Sequence, residues 1–222
     1  PIDLTARAPI VAARLQKGIA MSLSNGRSYL AIPGPSVMPD AVLRAMHRAA
    51  PNIYEGELID MMGALTADLK RVARTQGHVA IYISNGHGAW EAALANVIAP
   101  GDRVLVPATG RFGHGWGEIA SGLGAEVEIL DFGKRAPVDP DRLEAALRAD
   151  KDHAIRAVLA THVDTSSSVR NDVAAIRAAM DAAGHPALLM ADCIASLGCD
   201  EFEFDAWGVD VMVTGSQKGL MT

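Results

Sequence analysis

The sequence predicts an α/β fold, a mainly parallel sheet covered by helices, and three observations carry that prediction. From His78 onward, short apolar runs of strand length alternate with stretches whose apolar residues recur every three or four positions. The connections between them are short, as in strand–helix–strand units. Half of the residues are apolar while only 5% are aromatic, and abundant Ala, Val and Leu suit helices packed closely on a parallel sheet. With 222 residues, the chain has room for one large domain or two small ones. The boundaries read from it are an N-terminal segment 1–20, an arm with helices 21–77, and a sheet domain 78–222.

Residues 1–20 are basic, with Arg7, Arg14 and Lys17 against Asp3. They read as tag or upstream sequence before a start at Met21, in preference to a transit-like segment. Ile32-Pro33-Gly34-Pro35-Ser36 is a loop, because two prolines and a glycine exclude regular structure. A helix opens at Ser36–Pro39 with Val42, Met46 and Ala49 on one face, and Pro51-Asn52 ends it. From Glu57 a second helix carries Leu58, Met62, Leu65, Leu69 and Val72 as a one-sided stripe, suited to a core or a subunit contact. Strands are predicted at 79–83, 103–106, 127–130, 155–160, 187–191 and 209–213. Helices are predicted at 88–98, 114–123, 140–147 and 172–183. Pro140 falls in the first turn of its helix, and Gly184-His185-Pro186 stops the last one.

Net charge is −6 with acids and bases interspersed, which argues against a nucleic-acid partner, since that calls for a basic face. Cys193 and Cys199 lack CxxC spacing and form no disulfide framework, so a reducing, cytoplasmic compartment is the default. No apolar run reaches the roughly 18 residues of a membrane helix. No Cys/His spacing suggests a metal site.

Ligands of parallel sheets bind beyond the carboxyl ends of the strands, so the chemistry is sought there. Ser84-Asn85-Gly86-His87-Gly88 follows the first strand and enters a helix. Its glycines let backbone N–H groups approach a phosphate, although the same run read alone is also an ordinary tight turn. It is not a dinucleotide fingerprint. Phe112, in the glycine-rich loop after the second strand, suits stacking on a planar heterocycle and equally suits a core anchor for that loop. Thr161-His162-Val163-Asp164-Thr165-Ser166-Ser167-Ser168 offers hydroxyls to a ligand, or caps and turns to the backbone. His162 is a possible base, but a lone His at a strand end is more often a structural hydrogen-bonder. A Ser/His/Asp triad lacks its GxSxG elbow. Asp192 ends the fifth strand, and Thr214-Gly215-Ser216-Gln217-Lys218-Gly219 follows the sixth. A Lys that can condense with an aldehyde, a carboxylate for a pyridine nitrogen and a phosphate turn are the set that pyridoxal phosphate (PLP) chemistry requires.

Three ordered stretches resemble the class V aminotransferases of PLP-transferase fold type I, in particular the serine/alanine–glyoxylate branch. They are Ser84 to Leu94, Asp192-Cys193-Ile194-Ala195-Ser196-Leu197-Gly198, and Gly215-Ser216-Gln217-Lys218-Gly219. The resemblance runs from about Ile32 to the last residue. It implies the large domain of that fold, PLP as cofactor, and amino transfer between a small amino acid and a 2-oxo acid such as glyoxylate or pyruvate. It implies Lys218 as the cofactor-bearing lysine and proton carrier, and Asp192 on the pyridine nitrogen. Ile194 and Phe112 fall on the two ring faces, with Phe112 where many relatives carry Trp. Thr165 falls near the ring oxygen, Asn85, Gly86, His87 and Gln217 at the phosphate, and Gly34 beside the substrate. A homodimer with shared sites is implied as well. Asn85 stands where Ser is frequent. Relatives also continue past the lysine into segments that supply a substrate-gripping Arg and cross-subunit phosphate contacts, so this chain is expected to be a fragment. A cysteine desulfurase reading is disfavoured, because neither Cys193 nor Cys199 is placed on a mobile loop. Pyridoxamine–pyruvate and ureidoglycine–glyoxylate transaminases would use the same cofactor residues. A non-catalytic relative is the rival from another class.

Overall fold

Caps and apolar spacing decide where each element starts and stops. In the computed structural model, which describes residues 31–222, the chain runs through α1 (Asp40–Met46), α2 (Glu57–Ala73), α3 (Gly86–Val97), β1 (Arg103–Ala108), α4 (Arg111–Gly122) and β2 (Glu126–Asp131). It continues through α5 (Pro140–Ala149), β3 (Ile155–Thr161), β4 (Val163–Asp164), β5 (Val169–Arg170), α6 (Val173–Ala183), β6 (Leu188–Asp192) and β7 (Val211–Val213). Asn85, Asp139 and Asp172 each accept a backbone N–H as side-chain N-caps of α3, α5 and α6. Gly184 ends α6 in the left-handed conformation that glycine adopts without strain. The N-terminal segment 1–20 and the stretch to residue 30 lie outside the described residues.

Five strands form one sheet in the order β2-β1-β3-β6-β7, and every neighbouring pair is parallel. β4 and β5 pair separately as a two-residue antiparallel ladder. Helices cover both faces of the sheet. Trp90, Leu94 and Trp116 from α3 and α4 pack on Val104, Val106, Leu159 and Met190. Leu143 and Leu147 from α5, with Ile176 and Met180 from α6, pack on Leu105, Val158 and Leu189 of the opposite face. Each of these leucines is essentially fully buried, a contribution of about 2 kcal/mol apiece. Gly113 and Gly117 let α4 lie close to the sheet: an added Cβ would meet Ala108 Cα at 3.1 Å and Val127 Cγ1 at 3.2 Å, respectively.

Three expectations fail. The first helix ends at Met46, so Ala49, read as part of its apolar face, lies beyond it, and no residue of that helix is buried. Val79 to Ile83 is not a strand but irregular chain, with Ile81 and Tyr82 about half exposed and Ile83 fully so. An apolar run alone makes no strand, because the ladder needs a partner. β7 is the sheet edge, and among the described residues no strand pairs with 79–83. α4 also starts at Arg111, not His114, which places Phe112 in a helical turn and not in a flexible loop. The α2 stripe forms as spaced, but only Ala73 of that helix is buried, while Met62, Leu65 and Val72 are about 40% exposed.

Candidate active site

The chain steps from β1 to β2 on one side and then returns to β3 on the other. The connections that leave the carboxyl ends of β1 and β3 therefore diverge and open a crevice between them. The loops that follow β1, β3, β6 and β7, with the start of α3, surround it. Gly34, Asn85, Gly86, His87, Phe112, Thr165, Asp192, Ile194, Gln217 and Lys218 all line this one cavity of about 340 Å³. A shallower groove between α6 and residues 205–208 is lined by Arg177, Asp181 and Trp207. Its guanidinium is already engaged by Asp181 and Asp210, which leaves no free cation for a ligand.

Asp192 closes β6, paired in register with Thr161 of β3, and is 4% exposed. Its Oδ1 accepts the Ile194 N–H at 2.9 Å. Burial pushes its carboxyl up to about 7; the Ile194 N–H, the Trp90 indole and Lys218 pull it down, while Asp164 pushes it up. Trp90 Nε1 is buried and meets no acceptor in hydrogen-bond geometry, so its effect on Asp192 is that of a nearby dipole, not of a formed bond. Ile194 lies over Gly86, where an added Cβ would come within 2.7 Å of Ile194 Cδ1.

Lys218 sits in a turn fixed from both sides. Ser36 N–H donates to Gln217 O at 2.8 Å, and Ser36 Oγ donates to Lys218 O at 2.8 Å, which ties the Gly34 loop to the lysine turn. The Lys218 amine donates to Pro33 O at 3.2 Å. Gly34 has φ +144, and a Cβ there would lie 2.5 Å from Lys218 Nζ, so only glycine leaves the amine its space. Gly219 packs on the turn after Asp192, where a Cβ would collide with Leu197 O.

At the other end of the cavity α3 presents Asn85, Gly86 and His87. Asn85 Oδ1 is already taken by Gly88 N–H at 3.1 Å, so any ligand contact from this residue falls to its amide nitrogen. The helix N-terminus itself favours an anion. Phe112 meets Trp90 edge-on at 6.3 Å between ring centroids, and Trp90 stacks on Trp116 at 5.9 Å, so the phenyl ring is braced from behind. Thr165 is half-buried on the loop after β4. His162 does not line the cavity. Its Nδ1 faces Ser196 Oγ at 2.9 Å, its ring packs on Phe202 and Trp207, and burial holds its pKa below the usual value. Cys193 is buried, and burial pushes its thiol well up, away from nucleophilic use.

Sequence reasoning missed the supports of this site. Asn171 is buried and donates to Thr109 Oγ1 at 2.9 Å and Thr161 O at 2.7 Å, locking together the ends of β1 and β3. Ser36 and Asp164 act across long stretches of chain, which no local spacing reveals.

A group with a ring nitrogen, an aldehyde and a phosphate fits these walls. A buried carboxyl, a lysine amine and a helix N-terminus line one space. Comparison with known proteins agrees: the chain belongs to the class-V aminotransferase family, which it matches over residues 28–222. It is 41% identical over 197 residues to the serine–glyoxylate aminotransferase of Methylorubrum extorquens, covering 88% of this chain and 49% of that one. It is likewise 41% identical over 191 residues to the L-aspartate–glyoxylate aminotransferase of Paracoccus denitrificans, covering 86% of this chain and 48% of that one. The crystal structure of ureidoglycine–glyoxylate aminotransferase from Bacillus subtilis superposes with a TM-score of 0.80 at 28% identity, covering 89% of this chain and 51% of that one. The chain thus spans about half the length of the relatives it matches.

The raised Asp192 pKa gives a stability signature that needs no ligand. Between the ordinary Asp value of 3.8 and about 7 the folded chain holds a proton that the unfolded chain has released. Stability from this group is therefore full below pH 3.8, falls as pH rises toward 7, and is level above, a loss of a few kcal/mol at most. In Asp192→Asn that pH-dependent component disappears. Melting temperatures of both proteins from pH 4 to 8, measured without PLP, check this, and parallel profiles would contradict it.

Proposed function

We propose that the protein carrying this chain is a PLP-dependent aminotransferase that passes the amino group of serine or alanine to glyoxylate or pyruvate. The observation that carries the reading is the meeting of the Lys218 amine, the Asp192 carboxyl and the α3 N-terminus in one cavity. When bound, PLP supplies an electron sink for the charge left when a substrate Cα loses its proton. Asp192 would hold the ring nitrogen, Ile194 and Phe112 the ring faces, Thr165 the ring oxygen, and Asn85, Gly86, His87 and Gln217 the phosphate. Lys218 would hold the aldehyde carbon and afterwards carry the substrate Cα proton, with Gly34 keeping room beside it for a small substrate.

Glyoxylate as acceptor is supported by the names of the relatives, one of which takes serine and another aspartate. The test is a donor panel of serine, alanine and aspartate against glyoxylate, with glycine and each 2-oxo acid quantified. Serine or alanine turning over fastest is expected. No glycine from any donor, in protein with bound PLP, would remove this function.

The reading extends to a homodimer with shared sites, supported by the exposed apolar stripe of α2. A monomer at micromolar concentration in sedimentation analysis would remove that part. A cytoplasmic setting is supported by the free thiols of Cys193 and Cys199; modification of both by a thiol reagent in freshly lysed, denatured cells would accord with it, and a disulfide would not. No helix among the described residues is long and apolar enough to cross a membrane.

A further inference from the structure

α4 begins after Gly110, which has no side chain with which to cap a helix, so its first amides need acceptors from elsewhere. The loop after β4 supplies them. Phe112 N–H and Gly113 N–H donate to Asp164 Oδ2 at 2.9 and 3.2 Å, and Arg111 N–H donates to Ser166 Oγ at 2.7 Å. The Ser166 amide and hydroxyl in turn donate to Asp164 Oδ1 at 3.1 and 2.6 Å. Both carboxyl oxygens are thereby used. Asp164 is fully buried, and glycine at 110 is what admits it: a Cβ there would lie 2.5 Å from the Asp164 carboxyl carbon. A negative charge at a helix N-terminus is well placed, and bonds to an ionised acceptor are the strong ones.

This cap joins two cavity walls that are 52 residues apart in the chain. Phe112 is itself one of the capped residues. Thr165 lies between the two capping residues, Asp164 and Ser166. The first turn of α4, with its phenyl ring, and the loop that carries the Thr165 hydroxyl are therefore joined through one carboxyl group. We infer that Asp164 is a positioning residue of the cofactor site, holding Phe112 in place for a ring face and Thr165 in place for the ring oxygen. The inference rests on the PLP reading above. Asp164 does not line the cavity; it would act through the two residues that it fixes. A residue with a purely structural role would lower the melting temperature and leave the site's affinity and asymmetry intact.

The experiment measures the PLP dissociation constant and the visible-region circular dichroism of the bound chromophore, well below each variant's Tm. The proteins compared are wild type, Asp164→Asn, Asp164→Ala and Ser166→Ala. Asn keeps the shape and one acceptor oxygen but loses the charge, so PLP binds about tenfold more weakly; Ala loses both and binds about 100-fold more weakly. Ser166→Ala, which leaves the Asp164 bonds to α4 in place, falls between wild type and Asn. The dichroism diminishes in the same order. Should Asp164→Ala fail to fold, the Asn and Ser166 variants carry the test. Wild-type affinity and dichroism in Asp164→Asn and Ser166→Ala, with Tm alone reduced, would overturn the inference while leaving the function standing. A wild type that binds no PLP would overturn both.

Discussion

Lys218→Ala lowers amino transfer by roughly 10⁴-fold or more, the scale expected when one residue serves as both covalent anchor and proton carrier. Its position supports both duties. The amine emerges at the carboxyl end of the sheet, beside Pro33 O and within the electrostatic reach of Asp192, from a backbone held by Ser36. The companion measurement is chemical. Borohydride reduction of wild type with bound PLP, followed by peptide mass mapping, leaves the pyridoxyl group as a secondary amine on Lys218, and the Ala variant takes up none. An adduct on a different lysine, or transamination that survives in the variant, would refute the assignment.

Asp192→Ala is the second large effect: kcat/KM falls by about 10² to 10³, as when a preorganised charge partner is removed from a transition state. The reasoning starts from burial. A carboxyl that is 4% exposed, with a pKa lifted to about 7, is costly to ionise unless a cation joins it. A protonated ring nitrogen is such a cation, and the pair would stabilise each other: the carboxylate keeps the ring protonated, and the ring keeps the carboxyl ionised. Asn at the same place retains the shape and an acceptor but cannot carry charge, so it shows most of the loss. Rates are compared at equal PLP occupancy, measured from absorbance, so that weakened binding is not mistaken for weakened chemistry. A variant with wild-type kcat/KM at full occupancy would show that the ring needs no partner here.

How much of this was legible depended on how local the determinants are. α6 could be read almost residue for residue because its stops, Asp172 and Gly184, lie at its own ends. Asp192 could be read because a polar residue that ends a buried apolar run is visible in one dimension, and Lys218 because its glycine-containing turn follows such a run. The start of α4 could not, because Gly110 is silent and the cap arrives from Asp164 and Ser166. Val79 to Ile83 was misread for the complementary reason: the apolar run is real, but strand formation depends on a neighbour that the run itself does not encode. Of the site, the ten residues that the family resemblance singled out line one cavity, while His162 does not, and the residues that hold them (Ser36, Asn171, Asp164) are tied by bonds across dozens of positions.

The fit of Gly219 against Leu197 O, with Ser36 bonded to both Gln217 and Lys218, has a mechanical meaning. The lysine's Cα is a fixed pivot clamped to the turn that carries Ile194. Whatever path its amine follows during turnover is drawn by rotation about the bonds of a four-carbon arm, with the hinge bolted to the wall it works against. The reach of that arm, and not the flexibility of the loop, bounds the volume within which a substrate's Cα can be served.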